Sequence, residues 1–268
     1  MVHAASGPRP ARRRGGRTRR GLGSTVAETA GFAAWLCGDL GDRPLMLRLY
    51  RLAEDAVDES GDRALGGYIR GFHAQGMAGR GEYRQGIREA QAAVEEAGRS
   101  AAPVVSGWLG VVHATALAGG GHPGLAQAAL AGAERHLDQG RGDERPEWMY
   151  DFDRPRFDAH AGACYLRMNR PVEAEPVLRR ALAGLPPGGR RRADVTLDLA
   201  GALLRTGEAE EAVDLAARAA DHFGAWDSAA GLDRVAAFAD ALRRTGEVAA
   251  ARSLTDRVVA HRRPALSV

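Results

Sequence analysis

Arginine carries all of the permanent positive charge in this sequence: the 37 basic residues are all arginine, and no lysine is present. A phosphate-binding GxxxxGK[ST] loop needs a lysine, as do Schiff-base enzymes, because a protonated guanidinium cannot act as an amine nucleophile. What arginine does offer is a planar fork of N–H donors that fits a carboxylate. The composition therefore excludes several enzyme classes and leaves forked binding of acids as available chemistry.

The other reactive side chains do not form a catalytic pattern. Cys37 and Cys164 lack the CxxC spacing of a zinc or redox site. The carboxylate pairs Glu95-Glu96 and Glu210-Glu211 are adjacent residues, which face different directions on a helix. Histidine has no recognisable spacing with serine or cysteine for a nucleophilic triad. We therefore expect no metal, no cofactor and no enzymatic activity.

The composition favours helices, with 45% hydrophobic, 26% charged and 6% aromatic residues. The net charge is +3, yet the first twenty residues contain seven arginines and no acid, so the remainder is negative overall. We expect residues 1–24 to be a disordered, solvated tail without a ligand, the alternative being that its arginines bind nucleic acid weakly and without sequence preference. The acidic remainder is poorly suited to gripping nucleic acid.

A repeated pattern of small and large apolar residues organises the rest of the chain. Its clearest copy runs from Pro155 to Pro187 and predicts two helices joined by a turn at Asn169, a residue that tolerates the left-handed conformation. Related copies recur about every 38 to 40 residues where no insertion intervenes. Small residues where the paired helices would cross are Ala34, Ala74, Ala114, Gly162, Ala200 and Ala239, and the turn residues are Gly41, Gly81, Gly121, Asn169, Gly207 and Gly246.

This pattern resembles the tetratricopeptide repeat, whose units are helical hairpins of about 34 residues. The resemblance implies an all-α fold, a right-handed α-solenoid of about six hairpins spanning residues 25–262, followed by a tail at 263–268. The longer spacing implies longer loops between hairpins, including a Gly-rich loop around Arg192. The charge-free stretch from Ser100 to Ala133 is interrupted by Pro103 and Pro123, so it is expected to form a buried hairpin and no membrane span.

The stretch from Trp148 to Leu182 is similar to the C-terminal repeat region of bacterial regulators with an N-terminal helix-turn-helix of the phage-repressor type. In that family the repeats are thought to sense a partner, and the short N-terminal domain binds DNA. Residues 1–24 are rich in Gly, Pro and Arg and contain no amphipathic helix pair, so DNA recognition is not carried over to any residue here.

In tetratricopeptide arrays the first helix of each hairpin lines a concave groove. Carried onto this chain, the groove is aromatic in its first half and rich in arginine in its second half, which suits a peptide whose carboxylate is forked by Arg167 or Arg205. The alternative is that the arginines form ordinary surface ion pairs. The predicted groove residues are Trp35, Tyr68, Gln75, Trp108, Arg156, Arg167, Arg205, Asp240 and Arg243.

An insertion at residues 137–153 separates the third and fourth hairpins and ends in an aromatic and acidic cluster. One interpretation is that its rings fill the joint between the two halves of the array. The other is that Trp148 and Tyr150 form a lip of the groove.

These observations predict a cytoplasmic module that binds a peptide or protein, as the sensor or interaction part of a transcription-regulator family. A scaffold or adaptor with no regulatory role would use the same groove. The sequence leaves the ligand and the oligomeric state open.

Overall fold

The computed structural model of the protein describes residues 11–99, 101–140, 145–150 and 152–262, with side chains from residue 18 onward. This part of the chain contains twelve α-helices and no strand, which confirms the all-α prediction. The helices are α1 (Ala11–Leu40), α2 (Arg43–Ser60), α3 (Arg63–Gly79), α4 (Tyr83–Ala97), α5 (Pro103–Gly119), α6 (Pro123–Gln139), α7 (Arg154–Arg167), α8 (Pro171–Gly184), α9 (Arg190–Thr206), α10 (Ala209–Ala225), α11 (Ala229–Arg244) and α12 (Val248–His261).

Consecutive helices pack in pairs, each made of an odd-numbered first helix and an even-numbered second helix. Every first helix also contacts the next first helix along the chain. Among the described residues, the second helices do not contact one another except for α10 and α12. The first helices therefore form a continuous layer, and we call the side of this layer away from the second helices the inner face.

The two helices of each pair are joined by a turn with one recurring geometry. A residue in the left-handed region, either glycine or Asn169 with φ 58°, ends the first helix. The N–H of the following residue then donates to the carbonyl five residues back, as from Asp42 to Cys37 at 2.8 Å and from Arg170 to Tyr165 at 2.9 Å. This arrangement satisfies carbonyls that a helix end leaves without partners. The left-handed turn predicted at Asn169 is confirmed.

Small residues let the helices approach closely. A Cβ atom at Gly67 of α3 would lie 2.6 Å from the backbone oxygen of Ala93 on α4, and one at Gly71 would collide with the ring of Trp108 on α5. The crossing residues that the sequence pattern marked are all buried, with every alanine among them fully inaccessible. These are Ala34, Ala74, Ala114, Gly162, Ala200 and Ala239.

The first and last pairs of helices also meet. At the end of α1, Asp39 forms an ion pair with Arg190 on α9 and accepts a 2.8 Å hydrogen bond from the hydroxyl of Ser228, the residue that caps α11. The guanidinium of Arg190 lies 5.0 Å from the ring centroid of Trp35. The layer of first helices therefore closes on itself and encloses the inner face.

Helix α1 begins at Ala11, so the predicted boundary between residues 24 and 25 falls inside a helix. Gly23 packs against the backbone of Ala56 and Ser60, and Arg19 lies 3.5 Å from Glu59, because this part of α1 continues along α2. Residues 1–10 and the predicted tail at 263–268 lie outside the described residues, as do 141–144 and 151 within the predicted insertion.

The predicted buried hairpin corresponds to α5 and α6. Helix α5 buries Val105, Trp108, Leu109, Val111 and Val112 almost completely, so its apolar composition serves the core. Along the described chain, no helix combines the length and apolar character needed to cross a membrane.

Candidate functional site

A short non-helical segment, residues 145–150, lies across the first helices α3 and α5, and we call it the strap. It contains a turn in which the N–H of Met149 donates to the carbonyl of Pro146 at 3.0 Å. The ring of Trp148 lies 5.0 Å from that of Tyr68. The ring of Tyr150 lies 6.1 to 6.3 Å from the rings of Tyr68, Phe72 and Trp108.

Hydrogen bonds fix the strap in place. The indole N–H of Trp148 donates to Asp62, the capping residue of α3, at 3.2 Å, and the backbone N–H of Tyr150 donates to the hydroxyl of Tyr68 at 3.3 Å. The side chain of Tyr150 is approached by residues of α3, α5, α7 and α9, all of them first helices. The strap therefore occupies the inner face.

This position corrects the expected accessibility of two groove residues. Trp108 is fully buried and Tyr68 is 7% exposed, because the strap and Phe72 cover their rings. They form the floor beneath the strap and do not present an open wall. Phe152, just beyond the strap, packs beside Gly107 and lies 6.3 Å from the ring of His160, so it fills the joint between α5 and α7.

Several predicted groove residues form ion pairs or hydrogen bonds with other residues of the same chain. Arg156 pairs with Asp153 at 2.8 Å, at the start of its own helix. Arg205 is exposed and donates to the carbonyl of Leu166 at 2.6 Å. The exposed Arg243 and Asp240 pair with each other. Arg156, Asp240 and Arg243 therefore form ordinary ion pairs, as the alternative interpretation expected.

Trp35 and Gln75 are partly buried on α1 and α3. Trp35 stacks on Phe32 with a centroid distance of 5.8 Å and lies beneath Arg190 of α9. Phe32 itself is 61% exposed. An accessible aromatic side chain is thus available on the inner face, one helical turn from the predicted residue.

Arg167 and Arg191 differ from the paired arginines. Arg167 donates to the backbone carbonyl of Ala163 at 3.1 Å, within α7, while its Nε atom is buried without a partner. In the part of the chain that the structure describes, neither guanidinium forms an ion pair with a carboxylate. Both are partly buried, so their charges are incompletely compensated.

Three further polar atoms on residues of the strap, α5 and α7 also lack hydrogen-bond partners at the distances of ordinary hydrogen bonds. They are Nε1 of Trp108, the hydroxyl of Tyr150 and Nε2 of His160, all buried. Burial raises the pKa of Tyr150, and the nearby Arg191 and Trp108 groups oppose that rise. Burial, followed by the charges of Arg191 and Arg167, holds the pKa of His160 well below its ordinary value. His160 is therefore neutral, and the region is rich in donors and positive charge.

A second group of arginines is neutralised by aspartates and joins α9 to α11. Arg234 of α11 lies 2.6 Å from Asp194 and 2.7 Å from Asp198, both on α9. Arg190 pairs with Asp39 and lies 3.9 Å from Asp194. This charged network holds the closure of the first-helix layer.

Sequence reasoning missed Arg191 because it placed the residues around Arg192 in a loop. The structure instead makes Arg190, Arg191 and Arg192 the first turn of α9. Arg192 donates to the carbonyls of Leu182 and Leu185 at the end of α8, at 2.6 and 3.0 Å. The run of three arginines directly after two glycines was the available signal, since a helix can begin after such a turn.

The arrangement offers binding chemistry. Burial raises the pKa of the Cys164 thiol to about 11, so it stays protonated beside the hydroxyl of Thr115, 3.4 Å away. Within the described residues, no group of three or more His, Cys, Asp and Glu could hold a metal ion. The first helices combine aromatic rings with two guanidinium groups that form no ion pair in the described chain, which suits an aromatic and acidic ligand. No protein-family model and no curated protein matches the chain.

Proposed function

We propose that this protein is a peptide- or protein-binding module built as a right-handed solenoid of six tetratricopeptide-like hairpins, with its ligand on the inner face. The observation that carries the proposal is the strap, because it is a non-helical segment bound by aromatic rings and two hydrogen bonds on that face. A peptide from another molecule would use the same surface after displacing it.

The biological role follows from the resemblance to the repeat region of helix-turn-helix regulators. We propose a cytoplasmic sensor or interaction part of such a regulator, acting through its bound peptide and not as an enzyme. The second candidate is a scaffold or adaptor with no regulatory role. The contact between α1 and the starts of α9 and α11 favours the sensor. A sensor must change its structure when it binds its ligand, and a ligand on the inner face would alter this contact.

The proposal is tested by locating a bound peptide. Peptides selected from a display library against the protein would be exposed to light after a photo-crosslinking residue has replaced Phe32, which is 61% exposed on the inner face. We expect strong crosslinking at this position, because a ligand on the inner face passes the Phe32–Trp35 stack.

Leu52 on α2 supplies the matched control, since it is an apolar side chain with 48% exposure on a second helix. Crosslinking there should stay at background. Equal crosslinking at both positions, or at position 52 alone, would show that peptides bind elsewhere and would remove the proposed function.

A further inference from the structure

We propose that residues 12–20 of α1, which we call the basic segment, bind the phosphate backbone of double-stranded nucleic acid without sequence preference. This activity goes beyond the proposed function, because it involves neither the strap nor any predicted groove residue. Six arginines in nine residues would make the phosphate contacts. They are Arg12, Arg13, Arg14, Arg17, Arg19 and Arg20.

The basic segment is part of a helix that extends beyond its packing partner. The last residue of α2 lies against α1 well after the basic segment, since a Cβ atom at Gly23 would be 3.0 Å from the backbone nitrogen of Ser60. The chain then turns at Gly61, with φ 71°, and continues as α3. A Cβ atom at Gly21 would meet no neighbouring group of the described chain within 4 Å. Residues 11–22 therefore form about 18 Å of helix that α2 does not cover.

The positive charge of the basic segment has little compensation. No acid occurs in the sequence before Glu28. Arg19 lies 3.5 Å from Glu59, but their side chains are 73% and 55% exposed, and an ion pair in water contributes little. Arg20 is also exposed and forms no ion pair with another described residue. A dense and accessible group of positive charges attracts a polyanion, which releases counterions when it binds.

The composition of the basic segment favours a nucleic acid over a membrane. A helix that lies on a lipid surface needs a broad apolar face. Residues 11–21 contain no apolar side chain larger than that of alanine, so they cannot supply such a face.

The same composition favours a duplex over a single strand. Binding of single strands relies on aromatic rings that stack on the bases, and residues 11–21 contain no aromatic residue. A duplex needs no rings, because its major groove is about 12 Å wide and admits an α-helix. At 3.6 residues per turn, the six arginine positions lie on several sides of the helix. Phosphates of both strands are therefore within the scope of one basic segment, and such contacts carry no sequence information.

Titration of the full chain into a labelled DNA duplex of mixed sequence, followed by fluorescence anisotropy, tests this proposal. The titration is repeated at salt concentrations from about 50 to 200 mM. We expect the logarithm of the affinity to fall with the logarithm of the salt concentration with a slope of about −5, since each of six neutralised phosphates contributes about 0.9. A second duplex of unrelated sequence should bind equally well.

Three variants locate the binding. Combined replacement of Arg12, Arg13 and Arg14 by glutamine should reduce the slope to about −3 and weaken binding at least about ten-fold. Lysine at the same three positions keeps the charge and should restore the binding of the parent. The matched control removes as much charge elsewhere, from three exposed arginines without an ion pair in the described chain. Its changes are Arg84→Gln and Arg88→Gln on α4 and Arg252→Gln on α12, and it should bind like the parent.

Four results would each overturn the proposal. They are no binding of the duplex, an equal loss in the control variant, no restoration by lysine, and affinities that differ between the two duplexes. Tighter binding to a single strand of the same length, or to vesicles containing anionic lipid, would assign the basic segment to a different partner and would likewise remove the duplex.

Discussion

Replacing Trp108 with alanine should lower the free energy of unfolding by about 3–5 kcal/mol, as is typical for a large buried aromatic side chain. Trp108 is fully buried and its ring lies 4.7 and 4.9 Å from those of Tyr68 and Phe72. Alanine would leave a cavity beneath the strap and remove these ring contacts. Trp108→Phe should cost less than Trp108→Ala, because phenylalanine keeps one ring in the site and leaves a smaller cavity.

Urea denaturation followed by circular dichroism measures both changes. The matched control is Trp226→Ala, since Trp226 is 55% exposed at the end of α10, and this change should stay within about 0.5 kcal/mol of the parent. If Trp108→Ala costs no more than Trp226→Ala, Trp108 is accessible in solution. The sequence-based expectation of an accessible aromatic groove would then be right, and the statement that the strap covers Trp108 would be wrong.

The second large effect concerns the closure of the first-helix layer. Arg234→Met should lower the free energy of unfolding by about 2–4 kcal/mol at pH 7, because it leaves Asp194 and Asp198 facing each other without their shared cation. We place the loss somewhat below that of a fully buried pair because the Arg234 side chain is a third exposed. The exposed Arg252 has no ion pair in the described part of the chain, so Arg252→Met should be nearly neutral.

The loss of unfolding free energy in Arg234→Met should depend on pH in a defined direction. Burial raises the pKa of Asp198 and Arg234 opposes this, so removing the arginine raises that pKa further. A carboxyl whose pKa is higher in the folded state binds more protons there, and stability falls as pH rises through that pKa. The deficit of Arg234→Met relative to the parent should therefore be largest near neutral pH and shrink as the pH falls. A deficit that grows on acidification would contradict the assignment.

Local sequence determined much of the fold. The left-handed turns need glycine or asparagine, and the helix crossings need alanine or glycine, so residues such as Asn169 and Ala200 can be placed by type alone. The helix pairs were predictable for this reason. The start of α1 was not, because the glycines of this stretch lower its helix propensity, and the packing of Gly23 on α2 holds the helix there.

The candidate site was predicted only partly, since it depends on contacts between residues far apart in the chain. A repeat pattern places Tyr68 and Trp108 on first helices, but it contains no information on the strap that covers them. It likewise cannot show that α1 meets α11 through Asp39 and Ser228, 189 residues apart. Arg167 was identified by register, whereas Arg191 could be placed on a first helix only when α9 was seen to begin at Arg190.

Titration of a synthetic peptide with the sequence of residues 145–150 tests the central claim, that the inner face is a peptide-binding surface which the strap already occupies. The titration is carried out by calorimetry on the parent and on a variant carrying Trp148→Ser and Tyr150→Ser, which removes both rings that hold the strap to α3 and α5. A tethered segment competes at an effective concentration of about millimolar. We therefore expect saturable binding to the variant and binding at least about ten-fold weaker to the parent. Equal affinities for the two proteins, or no binding to either, would contradict the account.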